Sequence, residues 1–308
     1  SMNKLTSWSS SLNKLDRIAL MISQQSTTVS SLIKRDLIVN ENISWPEDIR
    51  VGEDSLFLIK VLSKSSIIEY ISHPTFIYNK RKTFTLSSTQ EYGSRELNNH
   101  LDVWERLILA MREIELDYVK LRLKIGLQTA IRGLIFNSEK EISKADFERF
   151  ASFISIHENE IQKHRFDDHV SEVLKTLVDK DYVKFTEACK PKLLIAGHDL
   201  KFIQPMIPQL EKSYQVKVDE WEGHDSHDES FSKKLLHWAE YIWCEWLLGN
   251  AVWYSNHKTP NQKLIIRMHR FELGRDFGES LNLQNVDSIV CVSLLFFEKL
   301  LERFPSIP

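Results

Sequence analysis

Hydrophobic spacing divides the 308-residue chain into three stretches with different periods. Over residues 1–98 the signal is short and broken. It predicts an amphipathic piece over 15–22, an apolar element over 31–38, and a loop over 40–48 in which Pro46 forbids regular structure. Leu56, Ile59 and Leu62, with Phe57 and Val61, then recur at helical spacing within 51–62. Strands are predicted over 67–71 and 76–81, followed by a Thr/Ser-rich loop over 83–89. Over 99–190 the period is helical throughout: 100–136 (Leu101, Trp104, Leu107, Ile108, Met111), 144–164, 168–177, and a short piece to Cys189. Such stripes backed by charge are packing surfaces. Over 191–308 short, nearly all-apolar runs at 192–197, 215–218, 241–246, 263–268 and 286–292 alternate with helical segments. That alternation predicts a parallel sheet covered on both faces. The expected fold class is α/β: a partial α/β segment (1–98), a helical connector (99–190) and a parallel-sheet domain (191–308).

Ligands of such sheets collect at the carboxyl ends of the strands. The residues falling there are Gly197, His198, Glu245, Trp246, His269, Arg270 and Ser293. No Gly-x-Gly-x-x-Gly follows the first strand, which disfavours a dinucleotide-dependent dehydrogenase. His157, His164 and His169 are spaced too loosely for a metal site and read as solvated, as does the polar turn 223–229 with His224 and His227. Asp179-Lys180-Asp181 reads as a surface charge cluster, so no metal site is expected. Trp221, Trp238, Trp243, Trp246 and Trp253 offer rings that can stack on sugars, most of them expected in the core.

A net charge of −3 gives no basic footprint for nucleic acid. Cys189, Cys244 and Cys291 are an odd, widely spaced set without a CxxC, the pattern of reduced thiols in a cytoplasmic protein. The most apolar window, 238–254, is broken by Glu240, Glu245 and Asn250, so no transmembrane segment is expected. Peripheral membrane contact and self-association both stay compatible with the sequence.

Gly52-Glu53-Asp54 sets two carboxylates on the first turn of the 51–62 helix. The helix dipole favours acids there, and a carboxylate at a helix mouth can also serve as a general base. The wider context is Lys34-Arg35-Asp36-Leu37, Glu41-Asn42-Ile43, Trp45-Pro46-Glu47, Gly52-Glu53-Asp54, Phe57 and Leu62, then 78–82 and 87–89. This series resembles the second half of a family 2, GT-A type glycosyltransferase over about residues 30–98. The resemblance implies that Asp54 deprotonates an acceptor hydroxyl in an inverting transfer, that Glu53 supports it or contacts the acceptor, and that Arg81 and Lys82 offset donor phosphate charge. The family's nucleotide-binding strand and DxD motif do not precede Lys34. A divalent metal is therefore expected only in a complete GT-A unit.

The Gly197 turn, the series Ile242-Trp243-Cys244-Glu245-Trp246 with Gly249-Asn250-Ala251, and the runs 264–269 and 289–293 carry a second likeness. Residues 192–308 resemble the N-terminal Rossmann domain of family 4, GT-B type glycosyltransferases. This implies that His269 faces the reacting sugar, and retention of configuration. The family's second Rossmann domain, with its Glu-x7-Glu motif, does not follow. The chain thus reads as an internal piece of a two-headed glycosyltransferase, moving sugar from a nucleotide-sugar donor to a surface-glycan acceptor. The rival expectation is a non-catalytic connector, scaffold or acceptor-binding module of glycan assembly.

Overall fold

Among the described residues, strands form only in the second part of the chain. The structure, a computed structural model, describes residues 5, 7–24, 28–73, 91–138 and 141–307. The predicted strand 76–81, the loop 83–89, and Arg81 and Lys82 lie outside them. Two compact units divide the chain, Ser1–Cys189 and Lys190–Pro308.

The first unit is helical: α1 (Lys14–Gln24), α2 (Arg35–Asn40), α3 (Glu53–Lys64), α4 (Ser94–Arg112), α5 (Lys124–Asn137), α6 (Lys144–Ile161), α7 (Asp168–Val178) and α8 (Tyr182–Ala188). Side-chain oxygens start three of these, each accepting a backbone N–H that the first turn leaves unpaired: Ser143 from Asp146, Asp167 from Val170, and Asp181 from Lys184. Asp179 and Asp181 of the Asp-Lys-Asp triplet therefore close α7 and open α8. Gly52 precedes α3 at φ 95°, where a side chain is strained, and a Cβ there would lie 2.9 Å from a Val103 methyl. One core joins Leu56, Ile59 and Leu62 of α3 to Leu97, Leu101, Trp104 and Leu107 of α4 and to Phe147, Phe150 and Ile154 of α6. Residues 1–98 and 99–190, set apart by their sequence patterns, thus share a single hydrophobic interior.

Three expectations change here. Residues 67–71 are not a strand: they run irregularly, with Ile68 buried and Ile67 and Ile71 exposed, and no neighbouring strand among the described residues pairs with them. The helix expected over 100–136 is interrupted after Arg112 by a turn with Glu115 at φ 60° and one π-helical turn, Val119–Leu123. There the Asp117 carboxylate accepts the Lys120 N–H at 3.2 Å, a local bond that competes with helix continuation. Gly126 then lets α5 press onto Trp104, where a Cβ would stand 2.7 Å from the indole nitrogen. His169 is buried rather than solvated, its Nε2 lying 2.7 Å from the Ala188 carbonyl at the end of α8.

In the second unit β1 (Lys192–Gly197), β2 (Gln215–Glu220), β3 (Tyr241–Glu245), β4 (Lys263–Met268) and β5 (Ser288–Cys291) form a five-stranded, all-parallel sheet in the order β2-β1-β3-β4-β5. The helices are α9 (Ile207–Leu210), α10 (Glu229–Trp238), α11 (Gly249–His257) and α12 (Leu294–Arg303). Side chains alternate across each strand. Leu194, Ala196, Ile242, Cys244, Leu264 and Ile266 meet α10, α11 and α12 on one face, and Leu193, Ile195, Val216 and Val218 meet the 200–214 segment on the other. The result is a Rossmann-like α/β unit. No helix among the described residues is long and apolar enough to cross a membrane.

His100 offers a stability test for the first unit. It stacks between Tyr92 and Trp104, its Nδ1 2.7 Å from the Tyr92 hydroxyl. Burial pushes its pKa down from 6.5 to about 4, against the opposing charge of Glu96. The folded unit therefore holds His100 neutral where the unfolded chain would protonate it. Stability is full above about pH 6.5 and falls as the pH drops toward 4, by about 3 kcal/mol across the window. Urea unfolding followed by circular dichroism at stepped pH should show this slope, and His100→Phe, which keeps the stack and cannot titrate, should flatten it.

Candidate functional site

The order 2-1-3-4-5 has a consequence fixed by topology. The chain leaving β1 turns toward β2 while the chain leaving β3 turns toward β4, so their loops diverge and a crevice opens between the carboxyl ends of β1 and β3. A cleft of about 690 Å³ occupies this position. His198 and Asp199 enter it from β1, Glu220 and His224 from β2 and its following loop, and Trp246 from β3, with Phe271 from the segment after β4. Its volume lies within the range of small-molecule sites.

Each wall is held by identifiable contacts. Gly197 is required by proximity, since a Cβ there would lie 2.6 Å from the Glu245 carbonyl oxygen. His198 Nδ1 lies 3.0 Å from the Trp221 carbonyl oxygen. Trp246 sits at φ 78°, a region that costs a bulky residue about 1–3 kcal/mol. Two bonds hold it there: its indole N–H donates to the Asp199 carbonyl at 2.6 Å and its backbone N–H to the Arg267 carbonyl at 3.0 Å. Asp199 pairs with Lys201 at 2.5 Å, which holds its carboxyl below the ordinary range.

The loop bearing His224 rests on a second set of bonds. Buried Asp219 accepts from the Trp221 indole (2.9 Å), the Ser232 hydroxyl (2.7 Å) and the Tyr254 hydroxyl (2.6 Å) with a single carboxylate oxygen. The His224 carbonyl accepts the Gly249 N–H at 2.8 Å, and a Cβ on Gly249 would lie 2.5 Å from that oxygen. His227 is not solvated as expected from sequence. Its ring stacks on Trp221 with centroids 3.7 Å apart, desolvation lowers its pKa, and its buried Nε2 has no hydrogen-bond partner among the described residues.

The candidates named from sequence divide into three groups. His198 and Trp246 line the cleft. Glu245 and His269 lie buried behind it in one network: Glu245, fully buried, accepts from the Trp243 indole (2.9 Å) and Arg267 (3.2 Å), with His269 Nε2 at 3.0 Å. The His269 ring is also packed between Phe202 (5.0 Å) and Trp246 (4.1 Å), and the His269 backbone N–H donates to Glu272 at 3.1 Å. Arg270 lines a neighbouring groove, and Ser293 caps α12. In the other unit, Glu53 and Asp54 open α3 as expected, and the Asp54 carboxylate accepts both the N–H and the hydroxyl of Thr28.

Sequence reasoning missed Glu220, His224, Gln204 and Phe271. Glu220 was within reach, because β2 runs two residues past the expected end at Val218 and Glu220 is its final residue. Gln204 and Phe271 come from irregular segments that only the folded chain brings to the cleft. Against protein-family models, curated proteins and solved structures, the chain finds no match.

Glu245 tests the support beneath the cleft. Glu245→Ala leaves the Arg267 cation and His269 without their shared acceptor and should cost about 3 kcal/mol in denaturant unfolding, while Glu245→Gln, which keeps an acceptor oxygen, should cost less.

Proposed function

We propose that residues 190–308 are the sugar-binding half of a glycosyltransferase, and that residues 1–189 carry an acceptor-side segment of a second one. The observation that carries this reading is the cleft at the divergence of β1 and β3, where Trp246 and Phe271 stand beside Glu220, His198 and His224. A pyranose has an apolar C–H face and a rim of hydroxyls. An aromatic wall receives the first, and carboxylates and imidazoles receive the second. The GT-B likeness of 192–308 supports the same assignment, with a nucleotide-sugar as donor and a glycan as acceptor. His269, packed behind Trp246, acts in this reading as a positioning residue for that wall.

For the first unit the reading rests on the run from Lys34 to Leu62 and its GT-A likeness. Asp54 would take the proton of an acceptor hydroxyl as that oxygen attacks the anomeric carbon and the bond from that carbon to the donor phosphate breaks. A second reading, an acceptor-binding module without catalysis, is favoured by two contacts: Thr28 occupies the Asp54 carboxylate, and Glu245 holds His269.

Titration of the chain with neutral mono- and oligosaccharides, followed by tryptophan fluorescence, tests the cleft. Binding is expected, and Glu220→Gln should weaken it by about tenfold, the loss of a charged hydrogen bond. Absence of binding by every sugar would remove the carbohydrate reading. Transfer from UDP-, GDP- and CDP-sugars tests catalysis. Asp54→Asn keeps an acceptor oxygen for Thr28 and so should retain the fold while abolishing the first activity. Binding without any transfer would favour the second reading.

A further inference from the structure

We propose that the cleft continues into an anion-binding subsite, so that its ligand is bipartite: a hydroxylated ring against Trp246 and Phe271, and phosphate groups on Arg270 and Lys299. Phe271 is the hinge of the argument. It lines the cleft and also an adjoining groove of about 880 Å³ that runs between the segment after β4 and α12.

The two compartments differ in charge. The cleft carries Asp199 and Glu220, and its lysine, Lys201, is already paired with Asp199. The groove carries Arg270, Lys299 and Arg303 against a single carboxylate, Glu302. Arg303 is occupied by Glu279 at 2.7 Å and Asp276 at 2.5 Å. The side chains of Arg270 and Lys299 have neither a hydrogen-bond nor an ion-pair partner among the described residues. Elsewhere on this unit Lys263 pairs with Asp287 at 2.7 Å and Lys233 with Glu229 at 2.7 Å. Arg275 lies over the Phe271 ring at 4.7 Å and adds a third positive charge at the boundary.

These charges sort a ligand's parts. Phosphate oxygens are repelled by the carboxylates of the cleft and attracted to the free guanidinium and ammonium, the first offering a planar fork and the second a point charge. Hydroxyls have the opposite preference, because carboxylates and imidazoles accept their hydrogen bonds. A phosphorylated sugar or a nucleoside diphosphate meets both demands. The ring half of this inference rests on the carbohydrate reading above, whereas the phosphate half is independent of it.

Calorimetry on the intact chain separates the two. Inorganic pyrophosphate should bind the wild type, more weakly as salt rises, and Arg270→Ala/Lys299→Ala should reduce its affinity by about tenfold or more, the loss of charge-assisted bonds. Both side chains are exposed, and circular dichroism verifies that the double variant folds. Glu220→Gln, which removes a repelling charge, should not weaken pyrophosphate binding. A glycosyl phosphate or a nucleoside diphosphate should bind more tightly than pyrophosphate, and whichever gains identifies an acceptor or a donor as the source. Equal pyrophosphate binding by wild type and double variant, or none by the wild type at millimolar concentration, overturns the subsite. No gain from either organic phosphate overturns the bipartite ligand. Pyrophosphate binding with no affinity for neutral sugars would sink the carbohydrate reading and leave the subsite standing.

Discussion

A carboxylate removed from water must be paired or it will not stay charged. Glu245, at the last position of β3, meets that demand with an indole, a guanidinium and an imidazole from its own strand, from its register partner on β4 and from the residue after β4. Those bonds tie the ends of the two strands together at the point where the chain leaves the sheet. Trp246 follows immediately, and its strained backbone persists because Arg267 and Asp199 hold both of its donors. The aromatic wall of the cleft therefore depends on a charge network that never reaches the cleft itself.

Asp219 repeats the solution on β2, with β1 lying between. Its three donors come from the loop after β2, from α10 and from α11, so a single buried carboxylate anchors the loop that carries His224. The two networks flank the crevice between β1 and β3, where the backbone of Gly197 passes too close to Glu245 for any side chain. The two networks brace the walls of the cleft, and the cleft and the adjoining groove differ in charge.

The helical unit is built on packing. Trp104, Phe147 and Phe150 dominate its interior, and small residues are placed where a ring must be met at close range, as Gly126 meets Trp104. The Glu53-Asp54 pair begins a helix whose opposite face, Leu56, Ile59 and Leu62, belongs to that interior. Structure and any chemistry of Asp54 thus share one turn, with Thr28 bonded to its carboxylate.

How much of this was legible in the sequence depends on how local each signal is. The apolar runs at 192–197 and 263–268 mark β1 and β4 to the residue: β1 is buried along its whole length, and β4 buries Leu264, Ile266 and Met268 on one face. Helix starts are similarly local, since Ser143, Asp167 and Asp228 each act on an N–H three residues ahead. Residues 67–71 show the reverse case: β-forming composition makes no strand there without a lateral partner among the described residues, and partners are a tertiary matter. The chain by itself determined the parallel α/β character of its second part, the helical character of 99–190, and the presence of His198 and Trp246 at strand ends, because periodicity and strand termini act over a few residues. Only the tertiary structure decided that His269 and Glu245 lie behind the wall, that Gln204, Glu220, His224 and Phe271 join it, and that Arg270 faces a separate groove. Burial and charge pairing are properties of neighbours far apart in sequence, and no local pattern encodes them.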